Sequence, residues 1–403
     1  MSTLSGGAWK LGLVPQAVAN GLSSILVLLF LLSSLNGGLL DVGLVAAVSA
    51  LALIPSQVLW GRLIDGAGRC KPFLVFGFVG MGLSLAAVPL AGAVPALLGL
   101  VSLKSVLYAA TLPARQLLTV ESESREGWHR GIANMQFLTT LGETAGMGVG
   151  ALTVAALGYF QLFVLCAALC FASAGLLAVV AREPGFMIQR RLVAVERSTS
   201  ALVAVSDFVA SPARSVEDFG RVARQLGRSS NYLMAGIFGF SLAGSTLFSP
   251  LPAYFIRLFS SNVVFLVFFG GSLAGALCYL PVGRLGGSAG RNLVVASSVR
   301  MVATPFLALA ALGAAPGLIA SVTVLAALEA FWAMFDVSST YAFLESARVG
   351  RAGYYGALVG LGAAGGGVLG GVVAMMLGFG LLFVVSAVLC AGSLVAFALQ
   401  FRA

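Results

Sequence analysis

Charge is scarce in this chain. Of 403 residues only 9% are Asp, Glu, Lys or Arg, and 59% are hydrophobic, whereas soluble domains carry about 25% charged residues. A soluble chain of this length would split into two or more domains, each with a polar exterior, and the residues to build that exterior are missing. The composition excludes an ordinary soluble protein and calls for the bilayer as solvent. Histidine is reduced to His129 and cysteine to five residues. Cys166, Cys170, Cys278 and Cys390 lie inside apolar runs, where a thiol behaves as a small hydrophobe, and Cys70 falls in a short loop. These residues assemble neither a zinc or haem site nor a disulfide framework, so no metal and no cofactor is expected. There is no G-x-x-x-x-G-K-[ST] loop, which argues against direct ATP drive within the chain. Clustered aspartates or a His/Glu constellation at the membrane surface are missing too, which argues against a membrane-embedded transferase or other enzyme.

The charge that is present is basic, +9 net. Nucleic-acid binding would gather it into a stripe or patch. Here it falls between hydrophobic blocks, so no nucleic-acid partner is expected.

Those blocks supply the architecture. Crossing the hydrocarbon takes about 20 apolar residues as helix. Six candidates precede residue 182, near 11–34, 40–61, 73–91, 94–117, 131–157 and 160–181. Six more follow residue 230, near 231–257, 262–282, 293–312, 316–343, 353–377 and 379–400. The first is too long for a signal-peptide core and reads as a retained span. The expected fold is an all-α integral membrane protein of twelve transmembrane helices in two six-helix pseudo-symmetric bundles. Its expected parts are an N-terminal bundle (1–181), a cytoplasmic linker (182–230) and a C-terminal bundle (231–403).

With the N-terminus inside, the cytoplasmic loops hold Arg62, Arg69, Lys71, Arg125, Arg130, Arg284, Arg291, Arg348 and Arg351, and the opposite loops carry only Arg257. By the positive-inside rule both termini are cytoplasmic, in a multi-pass protein of the cell membrane. The segment 182–230 is basic with interspersed acids. It reads as a solvated linker or a regulatory element, with an amphipathic stretch near Val216 to Leu226 that suits the inner membrane surface.

The two halves are related. Leu141 to Cys170 aligns without gaps to Leu361 to Cys390, repeating Gly142, Gly146 and Gly150 as Gly362, Gly366 and Gly370. Gly61-Arg62-Leu63 and Ala67-Gly68-Arg69 recur as Gly283-Arg284-Leu285 and Ala289-Gly290-Arg291. Two parallel six-helix repeats characterise one large class of secondary transporter.

The stretch Gly61 to Lys71 resembles the signature loop of the major facilitator superfamily, which lies between the second and third helices of that family. Gly61, Leu63, Asp65, Gly68, Arg69 and Lys71 match, and Gly66 departs where a basic residue is usual. The second copy has Gly287 in place of the aspartate. Asp65 can accept hydrogen bonds from a helix N-terminus and from Arg62 or Arg69, forming a clasp. The resemblance implies that Gly61, Arg62, Asp65, Gly68, Arg69 and Lys71 stabilise one end state of alternating access. It also implies a monomer carrying a small-molecule cargo, with protons as a candidate coupling ion. The fourth- and fifth-helix patterns match neither sugar porters nor drug antiporters, and Gly142, Gly146 and Gly150 read as close helix packing.

Ionisable groups inside a span are costly and commonly functional. Lys104, Glu143 and Glu329 fall near the midplane, with Asp336 seven residues beyond Glu329 on the same helix face. They are candidates for binding polar cargo or relaying protons, against the alternative of a structural Lys104–Glu143 pair. Gln16 and Asn20, four apart on the first span, are candidates for the same cavity under the family geometry, or for bonds to neighbouring helices. Arg300 is expected to snorkel to the inner surface. Trp332 and Tyr341 are candidates for an aromatic wall. The functions left open are proton-coupled efflux of a small organic solute, uptake of a metabolite or anion, and a transporter-like receptor without turnover.

Overall fold

A computed structural model of the chain describes residues 8–122, 128–181, 227–284, 289–313, 317–346 and 352–402. The central segment 182–226, including the proposed amphipathic stretch, and residues 123–127 lie outside the described residues. Among the described residues there are helices and no strands.

The first half contains α1 (Val14–Ser33), α2 (Leu39–Ala67), α3 (Lys71–Ala87), α4 (Val94–Ala109), α5 (Thr111–Ser122), α6 (Trp128–Thr153) and α7 (Tyr159–Val180). The second contains α8 (Gly227–Phe248), α9 (Leu251–Leu258), α10 (Ser261–Arg284), α11 (Ala289–Gly313), α12 (Leu318–Ser346), α13 (Ala352–Met376) and α14 (Gly378–Arg402). Two spans are broken, so α4 with α5 and α8 with α9 each make one crossing. Proline explains both breaks, because it lacks an N–H and its ring clashes one turn back. Pro113 forces the interruption at Ala110, and Pro250 separates α8 from α9.

Ten of the twelve spans are long and apolar enough to cross a membrane by length and composition. The remaining two, α6 and α11, have 26 and 25 residues and are long enough. Their sequences are more polar, and the bundle shelters them: α6 packs on α1 and α10, and α11 on α12 and α14. Leu152, Val179 and Ile319 are more than four-fifths exposed, a surface that lipid tolerates and water does not.

Small residues set the helix crossings. A Cβ on Gly142 would meet Ala17, and one on Gly146 would collide with the backbone of Val18, so α6 lies directly on α1. The halves meet along α2–α13 and along α6–α10. In the first of these interfaces Gly43 rests against Gly367 and Gly371. In the second, Thr144 Oγ1 and Ser272 Oγ share a hydrogen bond of 2.7 Å, and Asn262 Nδ2 donates to the Ala151 carbonyl at 3.0 Å.

The two ends of the bundle differ. At one end Arg62, Arg69, Arg130 and Arg291 are exposed. Toward the other, Leu26 and Phe30 of α1 join Leu247, Leu251, Phe255 and Phe265 of the second half in one continuous apolar core.

The family-like stretch at Gly61 is not a loop from its first residue, as expected. Helix α2 continues to Ala67 and stops at Gly68, whose φ of 59° is the left-handed cap. Backbone hydrogen bonding carries the helix past the apolar run until that glycine ends it.

Candidate functional site

Between the halves lies a cavity of 460 Å³, within the roughly 300–1,000 Å³ typical of small-molecule sites. The first half lines it with α2, α4, α5 and α6, and the second with α10, α12 and α13. Its polar groups form two levels, about 10 Å apart along the helices, since seven residues separate both Gln136 from Glu143 and Glu329 from Asp336.

At the deeper level stand Glu143 on α6 and Glu329 on α12. Asn20 Nδ2 of α1 donates to Glu143 Oε1 at 2.9 Å, fixing that carboxylate from behind. Glu329 faces Gly275 of α10, where a Cβ would come within 3.2 Å of the Glu329 Cβ, so the glycine admits the close approach. Toward the basic end, Asp336 accepts hydrogen bonds from Gln136 Nε2 of the opposite half and from Tyr279 Oη at 3.1 Å. Arg115, on the stub created by the break in the fourth span, also lines the cavity. Its Nη2 donates to Tyr108 Oη at 3.1 Å and its guanidinium lies 5.5 Å from that ring centroid, while its Nε is buried without a partner. Trp332 supplies an aromatic wall, stacked 5.9 Å from Phe240.

Three carboxylates against one guanidinium give this lining an acidic formal balance, and the rest of the surface is largely apolar. Such a site accommodates an amphipathic solute, with carboxylates able to take a positive charge or a proton.

Of the residues singled out from the sequence, Glu143, Glu329 and Asp336 line this one cavity. Lys104 does not join them. It faces a smaller, separate pocket within the first half and donates to Ser23 Oγ at 3.4 Å. Gln16 does not reach the cavity either: its backbone N–H donates to Ser173 Oγ at 2.7 Å and its side chain rests on Met81. Four residues turn a helix about 40° past a full revolution, enough to send Gln16 into the bundle while Asn20 meets Glu143.

Arg300 departs furthest from expectation. It is 1% exposed, with Phe240, Phe248 and Trp332 ring centroids 4.9, 5.2 and 5.3 Å from its guanidinium. Snorkelling needs a path along a lipid-facing surface, and these rings close it. Tyr341 is not among the cavity-lining residues, whereas Trp332 is. Of the clasp residues, Arg62 and Arg69 are exposed and Lys71 is half-buried at the start of α3. The side chain of Asp65 lies outside the described residues, and so does residue 287 of the second copy.

Arg115, Gln136 and Tyr279 were not picked out from the sequence. One signal for Arg115 was available: it follows Lys104 by eleven residues, close to three helical turns, inside the same predicted span. Gln136 and Tyr279 carried none, because a single polar residue in an apolar helix does not show which neighbour it faces.

Residues 11–353 match the family described as Major Facilitator Superfamily. Over 133 residues the chain is 31% identical to the multidrug efflux pump Tap of Mycolicibacterium fortuitum, a match covering 30% of this chain and 32% of that pump. It therefore spans about a third of the length of that relative. The crystal structure of the nucleoside transporter NupG has the same fold, with a TM-score of 0.65 at 14% identity over 100% of both chains. A mutant of NupG gives 0.69 at 14% identity over 98% of each. This chain belongs to the Major Facilitator Superfamily and is a multi-pass membrane protein.

Proposed function

We propose that the protein exports a small amphipathic organic solute, neutral or cationic, across the cell membrane by alternating access, in exchange for protons. The carrying observation is the cavity between the halves, whose charged lining consists of Glu143, Glu329, Asp336 and Arg115. An acidic, largely apolar chamber disfavours anions and lets a carboxylate exchange a proton for cargo. The partial match to a protein named as a multidrug efflux pump supports the outward direction.

In this reading the basic end faces the cytoplasm, as the asymmetry of lysine and arginine indicates, and both termini lie there. The continuous apolar core at the far end is then the closed outer gate, and the arrangement is the inward-facing state of a monomer. Residues 1–181 and 231–403 rock against each other, with 182–230 as the cytoplasmic tether. The stretch Gly61 to Lys71, with Asp65 at its centre, acts as the clasp of the opposite state.

The test is proton flux in liposomes holding the purified protein, across a panel of chemically diverse solutes, with Glu143→Gln and Glu329→Gln beside the wild type. We expect cationic and neutral amphipathic solutes to drive proton movement that at least one variant loses. Response to anionic solutes alone would overturn the reading in favour of an anion permease. Solute transport with no proton movement would remove the coupling and keep the cavity.

A further inference from the structure

Lys104 poses a question that the transport cavity answers only in part, through the charge of Glu143. A lysine this deep in a helical bundle is costly unless something compensates its charge. Its single hydrogen bond among the described residues is the long one to Ser23 Oγ, 3.4 Å. No carboxylate lines its pocket; Glu143 acts on the ammonium electrostatically from the neighbouring cavity, but among the described residues no hydrogen bond or ion pair joins the two. That pocket measures 120 Å³, lies between α1, α2, α3 and α4, and combines the lysine with the hydroxyls of Ser23, Ser24 and Ser49. Its remaining wall is apolar, from residues such as Val45, Leu85 and Val101.

We infer that this pocket is a site for a small monovalent anion of the halide or nitrate class, resident in the first half and separate from the cargo. An ammonium carries three donors, and Ser23 occupies one. Ser24 Oγ now donates to the Gly21 carbonyl at 2.8 Å and Ser49 Oγ to the Val45 carbonyl at 2.6 Å. Hydroxyl protons rotate, so each can turn inward to an anion held first by the ammonium. The volume admits one small anion with a water or two, since a single water needs only about 10–15 Å³ by the same measure. A multiply charged oxyanion would find one cation and no arginine fork, and is excluded on charge. The anion would neutralise Lys104 and hold four helices of the first half together. This inference does not depend on the cargo or direction proposed above.

The test uses the purified full-length protein in detergent, at constant ionic strength, with chloride, bromide or nitrate progressively replacing gluconate. Thermal unfolding is the readout, because a ligand that binds only the folded protein raises the midpoint saturably. We expect a saturable rise in wild type and none in Lys104→Met. Ser49→Ala should raise the half-saturating concentration about three- to tenfold, the worth of one hydrogen bond. No saturable response in wild type would mean that water fills the pocket, and would overturn the proposal; so would an undiminished response in Lys104→Met. Should Lys104→Met fail to fold, Ser24→Ala/Ser49→Ala takes its place, and an unchanged half-saturating concentration there overturns the site. Chloride-loaded liposomes should keep their chloride; its release through the protein would make the anion a cargo and refute residency.

Discussion

In the first half α6 crosses α1 at Gly142 and Gly146; in the second, α13 crosses α8 at Gly362 and Gly366, the matching positions of the repeat. The crossings are alike but the charges laid over them are not. Glu143, beside the first crossing, is held by Asn20. The matching position is Ala363, and there Ser245 Oγ donates to the backbone carbonyl at 2.7 Å. The second half carries its midplane carboxylate on α12 instead, as Glu329, which has no hydrogen-bond partner among the described residues. Behind the cavity wall each half holds one cation within a span, the half-buried Lys104 in the first and the buried Arg300 in the second. Lys104 faces hydroxyls and a pocket, whereas Arg300 sits among three aromatic rings with both terminal nitrogens unpartnered. Duplication thus preserves what backbones need in order to approach, while polar groups, which need only a neighbour, are placed independently in each copy.

The largest effect should come from breaking what the halves share. A Cβ at Gly146 would strike the Val18 backbone and one at Gly366 the Leu242 backbone, and backbone cannot yield as a side-chain tip can. Gly146→Val and Gly366→Val should each abolish a monodisperse folded peak in size-exclusion chromatography, with overpacking costs at or above the usual 1–3 kcal/mol. Tolerance of valine in only one half would show that the crossings are not equivalent. A smaller effect should separate the halves. Because Asn20 positions Glu143, Asn20→Ala should slow solute-driven proton flux about tenfold, in line with loss of a hydrogen bond to a charged group. Unchanged flux would remove Asn20 from the site. Gln136→Leu should come next. It cuts the link from α6 to Asp336 across the halves and should change the transport rate about three- to tenfold, the direction showing which end state the bond favours. A wild-type rate would make that bond incidental.

The fold was legible because hydrophobic length and glycine spacing are recorded along the chain itself. The run lengths placed all twelve spans, and the repeat 141–170 against 361–390 marked the crossings now seen at Gly146 and Gly366. Depth was legible too, since counting residues along a helix puts Glu143, Glu329 and Asp336 at usable heights. Facing was not. In α4, α11 and α12 polar residues are scattered round the circumference, so no amphipathic stripe reports which side each residue faces. That is why the facing of Lys104, toward a pocket of its own, and of Arg300, away from the surface, was not legible. In α1 the polar residues Gln16, Asn20, Ser23 and Ser24 do share a stripe, but it meets neighbouring helices rather than the cavity. The broken fourth span concealed Arg115 in a different way: Pro113 redirects the chain two residues before it, and the charge then reads as a helix end.

The smallest expected effect concerns the second half's unusual cation. Arg300→Met removes three cation–π contacts, each worth about 0.5–2 kcal/mol, but also removes a buried guanidinium whose Nη1 and Nη2 have no hydrogen-bond partner. Methionine keeps most of the volume and packs well against aromatic rings. The opposing terms should leave the thermal midpoint nearly unchanged, with a net stability change within about 1–2 kcal/mol. Combining Arg300→Met with Glu329→Gln sharpens the comparison, because groups that act on each other deviate from additivity by about 0.5–3 kcal/mol. A non-additive pair would make Arg300 the counter-charge of Glu329, giving the second half an electrostatic pairing in place of the hydrogen bond that Asn20 supplies in the first. Additivity would leave Glu329 governed by the cavity alone, and the two carboxylates would then differ in how firmly the protein holds them.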